Sequence, residues 1–525
     1  MLAAGTVSVT FTSPGKTELI RTPMARDTYI VEEGQMVLHP PPFPITDAPA
    51  VLYPKDGKDP MEIGLSALRK KKQIFGNYLQ QEDYEGVFVD DALKNSTARV
   101  LTLKEVLKGI KFRHNSHSLK RDTSAAFYLR MFMKQKRFYL DLTDEEFANR
   151  KNKEDMESLG DGVYLHKHIM QLVQMWFEAL QKGEVERNWV IAMLKDETRP
   201  LDRVAACKTR VFYAGNFAFL IVSRMVFGEF TSFLEENWMY TDIAVGCNPF
   251  SADWRLIFDK ITRMGMEVKD DDTEKWDQHF PVTEYCNSFP KAYCEYYGIT
   301  IQVVIIEIGD KKFVIEHKTL IYAVTLANFY CAIVIKKTVI FRVLQASGVD
   351  LTTIFNSICN SAINRCIIRV ETGRPFKEVA DMWTYGDDLL LNCPSVSRKR
   401  MWELAKKMFD HTRTDPDKKG VETDTSIFKA FFLQRRFVQH YGVIMCPLNI
   451  ESITTMLQWI FKPKFPVTQE MQFHQNCLVA LMELSRHPKE LYEKYRTEIN
   501  LYLPRPITMT WEDAQLDVFN KCLFQ

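Results

Sequence analysis

At 525 residues, with 46% hydrophobic and 26% charged residues, the chain has an ordinary globular composition and enough length for roughly two to four subdomains. A formal net charge of +1 excludes a polybasic nucleic-acid binder, so any nucleic-acid surface must be a local basic tract. No apolar run reaches about 18 residues, the start Met1-Leu-Ala-Ala-Gly lacks the pattern of a secretory signal, and the 11 cysteines form no CxxC pair, so a reducing setting without a zinc ribbon or disulfide framework is expected.

Residues 1–60 are rich in Thr, Pro and Val and include His39-Pro-Pro-Pro-Phe-Pro44, which predicts an extended strap. Arg69-Lys-Lys-Lys72 reads as a solvated helix end or a phosphate contact. Arg121-Asp-Thr-Ser-Ala-Ala-Phe-Tyr128 is a small-residue loop, and a helix is predicted around Leu165–Lys182. In the tract from Leu194 to Phe212, Lys195, Arg199, Arg203, Lys208 and Arg210 alternate with apolar positions, while Asp196, Glu197 and Asp202 offset much of their charge. This suits two short strands joined by a loop, either a salt-bridged hairpin or a rack able to neutralise a triphosphate. Val211–Phe233 has the helical spacing of a core segment.

Asp272 and Asp277 lie five apart with Trp276 anchoring the loop between them. A strand ending near Asp272 and a helix opening near Asp277 would bring both carboxylates to one edge; an acidic surface loop is the alternative. Ile299–Ile308, Leu320–Val324 and Ile333–Val343 read as antiparallel strands with charged turns at Gly309–Lys312 and Lys336-Lys337. Gly348 permits a tight loop, and Asp350 is placed to N-cap a helix running to about Arg369. Thr352 and Asn356 share a face near that helix's start, where a hydroxyl and an amide could read a sugar or simply cap.

Thr384-Tyr385-Gly386-Asp387-Asp388-Leu389 sets two adjacent carboxylates at a glycine bend between the short buried runs Val379–Thr384 and Leu389–Leu391. Gly386 suits the first central position of a type II′ hairpin turn. Two neighbouring negative charges call for a cation, of which hard Mg²⁺ or Mn²⁺ is the obvious choice, unless the tip is an exposed acidic turn. An amphipathic helix follows over Ser397–Asp410, then the turn-rich His411–Lys418. Phe431–Phe437 and Tyr441–Met445 suggest a second hairpin, and helices are predicted over Ile450–Phe461 and Thr468–Arg486.

In this order, from about residue 121 to 460, the motifs resemble those of the RNA-dependent RNA polymerases of picornavirus-like positive-strand RNA viruses. Thr123-Ser124-Ala125 is similar to the family's template-entry motif, with alanine in place of the usual glycine. Lys195 to Arg199 with Lys208 to Arg210 resembles the motif that holds the incoming triphosphate. Asp272 and Asp277 match the first palm motif, Ser347, Gly348, Thr352 and Asn356 the second, and Tyr385 to Asp388 the third. His411 to Lys418 resembles the fourth, and Phe432 to Phe437, with Leu433 and Arg435, the hairpin that grips the primer strand. The loop before Ser347, Val-Leu-Gln-Ala, departs from the glycine-rich lead common in picornaviruses.

The resemblance implies an α+β right-hand fold: fingers with an N-terminal strap over 1–255, palm over 256–285, a fingers insertion over 286–343, palm again over 344–445 and thumb over 446–525. It implies two Mg²⁺ ions, for which Mn²⁺ may substitute, on Asp272 and Asp387, with Asp388 as the weaker ligand. Lys418 is implied as general acid, and Lys195, Arg199, Lys208 and Arg210 as triphosphate contacts. Asp277, Thr352 and Asn356 would read the ribose, Ser347 would contact the nucleotide, and Thr123, Ser124, Gly348, Leu433 and Arg435 would contact RNA. Implied partners are an RNA template and primer, NTPs, a genome-linked protein primer and other viral replication proteins, at membrane-associated complexes in the host cytoplasm. A reverse transcriptase is the nearest rival, but Asp277 with Asn356 favours a ribonucleotide. A metal-dependent nuclease would need no Thr-x3-Asn helix, and a catalytically dead RNA-binding scaffold would not need every carboxylate.

Overall fold

The computed structural model describes residues 17–32, 35–50, 77–88, 98–111, 119, 139–149, 153–300, 302–335 and 338–524. Thr123 and Ser124, the Arg69–Lys72 run and Lys336-Lys337 lie outside them. Within the described residues the α+β expectation holds. The chain is organised around a sheet of short strands backed by one long helix.

That sheet is antiparallel and has the strand order Asp381–Tyr385, Asp388–Asn392, Glu267–Thr273, Arg413–Thr414, with Thr425–Ser426 pairing the start of the Glu267 strand. Leu389, Leu390 and Leu391 pair with Asp271, Asp270 and Lys269. One further step along this register sets Asp272 opposite Asp388. Behind the sheet runs Thr352–Thr372, a helix buried along almost its whole length and ended by Gly373 in the left-handed conformation (φ 65°). Such an ending suits glycine, which lacks the Cβ that penalises it. Asp350 does not cap this helix; Leu351 takes the cap position, and Asp350 instead meets Arg224 Nε at 3.2 Å. The amphipathic segment at Ser397 forms the helix Arg398–Phe409, with the Ser397 hydroxyl accepting from the Arg400 amide.

A second sheet joins Val211–Ala214, Asn188–Leu194, Tyr330–Ile335 and Thr338–Val343. Val303–Ile308 and Lys311–Glu316 make a hairpin turned at Gly309-Asp310, as expected. Leu320–Val324 is not a strand: it lies in the helix His317–Phe329, most of which is buried. A short apolar run reads alike as buried strand or buried helix, and here length decided for the helix. The helix Phe217–Glu236 is long and apolar enough to cross a membrane by composition, yet 78% of its apolar window is buried inside the fold. It is a core helix, interrupted by polar Arg224 and Glu229.

The strap expectation is met in the described N-terminal residues. Leu19–Arg21 pairs with Trp459–Phe461, and Asp47–Pro49 pairs with Thr198–Pro200. The predicted helix Ile450–Phe461 therefore stops at Gln458, because the next three residues extend to meet the strap. Met24 and Phe43 complete a C-terminal core with Ile453, Leu457, Leu481 and Tyr492, and Phe43 stacks on Tyr495 at 4.3 Å. The ten cysteines from Cys207 to Cys477 are free, and eight of them are buried as small apolar side chains.

Candidate active site

The Gly-Asp-Asp bend is a two-residue hairpin turn, since Tyr385 pairs directly with Asp388. Gly386 has φ +63° and Asp387 does not share the positive φ, the pattern a II′ turn requires and a I′ turn lacks. The turn is held from behind by the Thr352–Thr372 helix. Ser357 Oγ accepts from the Gly386 amide at 2.8 Å, and Asn360 Nδ2 donates to the carbonyls of Gly386, Asp387 and Asp388 at 3.2, 3.2 and 3.4 Å. Thr384 is fixed by Asp242, whose carbonyl accepts from its amide at 2.8 Å. The Asp242 carboxylate is itself buried against Arg365 Nε at 2.7 Å, Lys260 Nζ at 3.3 Å and the Ser361 hydroxyl.

Three carboxylates act on one another at the edge of the sheet. Burial raises the Asp388 carboxyl to about 7, and the charges of Asp387 and Asp272 add to the rise. Asp387 sits at the solvent-accessible tip; the surrounding protein and Asp272 raise its carboxyl, while Arg210 lowers it. Asp272 meets Lys418 Nζ at 3.3 Å. Among the described residues no three acidic, His or Cys side chains form a closed metal cage. What fits a divalent ion is the donor set itself: hard carboxylate oxygens that repel one another and lack hydrogen-bond donors enough to neutralise them.

Lys418 is carried on a loop whose form is fixed by Asp415. That carboxylate accepts from the amides of Lys419, Gly420 and Val421 at 3.1, 2.6 and 3.0 Å, which holds its carboxyl below the usual range despite partial burial. Ionised acceptors of several backbone amides are the stable form of such a cap.

The cation rack also forms. The Asn188–Leu194 and Val211–Ala214 strands pair antiparallel, and the Thr198–Pro200 strand and a short helix fill the connection. Lys195 and Arg210 converge on Glu197, with Lys195 Nζ at 3.3 Å and Arg210 Nη2 at 2.8 Å. Arg199 is half-buried, and its Nε has no hydrogen-bond partner; burial and Arg210 lower its guanidinium. Lys208 is exposed on the same segment. Arg210 is the member of the rack whose charge lowers the Asp387 carboxyl.

Ser347 and Gly348 lie against the Val211–Ala214 strand. The Tyr213 amide donates to the Ser347 carbonyl at 2.8 Å, and a Cβ on Gly348 (φ +95°) would stand 2.7 Å from the Tyr213 carbonyl oxygen. Thr352 turns inward: its hydroxyl lies 2.8 Å from the Ala346 carbonyl and 2.7 Å from that of Val349. It closes the loop rather than facing outward. Asn356, one turn on, has a buried Oδ1 with no hydrogen-bond partner, an acceptor suited to a hydroxyl donor. Asp277 opens the short helix Trp276–His279; burial, and after it the charge of Asp277, raise the Tyr213 phenol. His411 steadies that helix through the His279 carbonyl at 2.9 Å and ring contact with Trp276.

One assignment is corrected. Arg435 does not face RNA: it is buried, donating to Glu483 at 2.7 and 2.9 Å and to the Cys446 carbonyl at 2.9 Å. A bidentate pair with a buried carboxylate holds it inside. The outward cation is Arg436, exposed and stacked over Phe431 at 4.2 Å. Leu433 and Gln434 form the tip of a tight turn with φ +55° and +61° between the bridged Phe432 and Arg435. The expected single hairpin is thus two tight turns in succession, the second joining Val438–His440 to Val443–Met445.

Ser357, Asn360 and Asn364 escaped the sequence reading. Their signal was present: Asn356, Asn360 and Asn364 recur every four residues along a helix buried over almost its whole length, where amides need partners.

A family model described as "Viral RNA-dependent RNA polymerase" matches residues 49–502. The chain is 28% identical to the replicase polyprotein of Cricket paralysis virus over 61% of its length. It is 26% identical to that of Drosophila C virus over 82%, and 25% identical to the genome polyprotein of Human parechovirus 5 over 64%. It spans 18%, 24% and 14% of those polyproteins, so it corresponds to a part of each. Its fold superposes on a sicinivirus 3Dpol RNA-dependent RNA polymerase with a TM-score of 0.73, at 18% identity, covering 98% of this chain and 97% of that one. With the family's pattern running through most of its length and a polymerase right hand as its fold, the chain belongs to the viral RNA-dependent RNA polymerases.

Proposed function

We propose that this chain performs template-directed RNA synthesis by two-metal nucleotidyl transfer, adding an NTP to an RNA or protein-linked 3′-hydroxyl and releasing pyrophosphate, in replication of a positive-strand viral RNA genome. The observation that carries the reading is the strand register that sets Asp272 opposite Asp388, beside Asp387 at the hairpin tip, with Lys418 Nζ 3.3 Å from Asp272.

Asp272 and Asp387 would hold two Mg²⁺ ions, with Asp388 as the secondary carboxylate. When bound, such ions would activate the attacking hydroxyl and stabilise the leaving oxygen. The rest is done by this chain's side chains. Lys195, Arg199, Lys208 and Arg210 balance triphosphate charge, and Glu197 keeps Lys195 and Arg210 converged before substrate arrives. Lys418 Nζ, held by the Asp415 loop, delivers a proton to the departing pyrophosphate. Asp277 and Asn356 accept from the ribose hydroxyls, with Ser347 beside them, and Thr352 keeps their loop closed. Gly348 and Leu433 line the RNA path, with Arg436 in the place first expected of Arg435.

We assign 1–255 to fingers and strap, 256–285 and 344–445 to palm, 286–343 to the fingers insertion and 446–525 to thumb. Because the relatives are polyproteins, a genome-linked protein primer and other viral replication proteins are proposed partners, at membrane-associated complexes in the host cytoplasm. The test is nucleotide incorporation on a homopolymeric RNA template, with and without primer, in Mg²⁺ and in EDTA. Incorporation that persists in EDTA, or its absence in every Mg²⁺ arm, overturns the reading.

A further inference from the structure

Behind the carboxylates runs a buried chain of polar side chains. Arg413, on the strand beside Asp272, donates from Nη1 to Asn364 Oδ1 at 2.8 Å. Asn364 Nδ2 donates to Asn360 Oδ1 at 3.0 Å and to the Asn360 carbonyl at 2.8 Å. Asn360 Nδ2 then serves the three carbonyls of the Gly386–Asp388 turn. Arg413, Asn364 and Asn360 are all buried.

The direction of this chain is determined by chemistry. Arginine can only donate, so Asn364 must turn its oxygen to Arg413 and its nitrogen to Asn360. Asn360 must in turn present its oxygen to Asn364 and its nitrogen to the turn, where carbonyls can only accept. Every donor and acceptor points the same way, an arrangement in which each bond polarises the next. A buried polar chain of this kind is costly unless complete, so its presence in a buried helix calls for a role.

Its outer end is not fully pinned. Arg413 Nε and Nη2 have no hydrogen-bond partner, and neither has Asp271 Oδ2, which lies 4.0 Å from Arg413 Nη1. Asp271 Oδ1 is held by Arg398 Nε at 2.8 Å. The guanidinium therefore has a carboxylate as an alternative partner within a small displacement, on the residue adjoining Asp272.

We propose that Arg413, Asn364 and Asn360 are positioning residues that set the Gly386–Asp388 turn against the Asp272 strand. They touch no reacting atom; they transmit the placement of the Arg413 strand, which leads into the Lys418 loop, to the carbonyls on which Asp387 is mounted. The inference deepens the polymerase reading and rests on it for its catalytic consequence, though not for its structural one.

The test uses the full chain with Asn364→Leu, Asn364→Asp, Arg413→Lys and Arg413→Met. Asn364→Asp keeps the acceptor for Arg413 but loses the donor to Asn360. Asn364→Leu and Asn364→Asp should each lower kcat for nucleotide addition by about tenfold or more, because ångström-scale misplacement of reacting groups costs that much, with the NTP KM little changed. Arg413→Lys, still a donor, should keep most of kcat, and Arg413→Met should not. Amide exchange at Gly386–Leu389 should accelerate in the Asn364 variants while that of Met382 and Trp383 stays slow. A kcat within about twofold of wild type in the Asn364 variants overturns the proposal, since misplacement would be felt far more strongly. So does unchanged exchange at the turn, and this readout holds even if the wild type proves inactive, an outcome that would instead sink the polymerase reading. Should Asn364→Leu fail to fold, Asn364→Asp and the Arg413 pair decide by the same criteria.

Discussion

Lys418 Nζ stands 3.3 Å from Asp272 Oδ2, bringing together two residues 146 positions apart that the proposed reaction uses at opposite ends of one phosphoryl transfer. The contact is exposed, so its worth for stability is small. Its value is positional: the ammonium already lies beside the carboxylate edge where the pyrophosphate would depart. Lys418→Leu should therefore lower kcat by roughly a hundredfold, the usual scale for a lost proton donor, with a smaller effect on the NTP KM. Single-turnover incorporation measures it, and an unchanged rate would remove the general-acid role.

Asp387→Ala should abolish Mg²⁺-dependent primer extension while RNA binding and the melting temperature are largely retained, because Asp387 is solvent-accessible at the turn tip and its removal empties no core. Extension at the wild-type rate by this variant would refute the ligand assignment.

Sugar choice should depend on Asp277 and Asn356. Either alanine substitution should narrow the ratio of kcat/KM for NTP over dNTP by about tenfold, the scale of one lost hydrogen bond to a substrate hydroxyl. Thr352→Val should act differently, loosening the 346–352 loop and weakening both nucleotides alike. Ratios that stay at wild type for Asp277 and Asn356 would refute the ribose-reading role.

Arg435 and Arg436 should separate cleanly. Arg435→Met leaves Glu483 buried without its partner and should destabilise the fold by about 3–5 kcal/mol, much of which Arg435→Met with Glu483→Leu should recover. Arg436→Ala should leave stability nearly unchanged but weaken RNA binding and reduce its salt slope by about one. Thermal unfolding and salt-dependent RNA titrations give both answers.

His411 supplies a pH dependence. Burial, with Arg413 nearby, lowers its imidazole to about 3, against 6.5 as the ordinary value. The unfolded chain binds the proton that the folded chain refuses, so this contribution is full above pH 6.5 and is lost as pH falls from there toward 3. Between pH 7.5 and 5.5 the wild type should lose about 1 kcal/mol more stability than His411→Gln, as measured by urea unfolding at each pH.

The order and local setting of the motifs were legible in the sequence because they rest on local rules. A glycine with positive φ makes the Tyr385–Asp388 hairpin, Ser397 caps its helix, and Asp272 and Asp277 fall on a strand end and a helix start through spacing alone. Spacing says nothing about partners hundreds of residues away. Arg435 looked like a free cation until Glu483 was brought against it, and Trp459–Phe461 looked helical until Leu19–Arg21 supplied a strand to pair with. Leu320–Val324 carried no pattern that could tell a buried helix from a buried strand. The sequence by itself determined which chemical groups are present and on which local element each sits. The tertiary structure decided which charges are neutralised inside and which remain for substrate, because burial and pairing depend on distances that only packing sets.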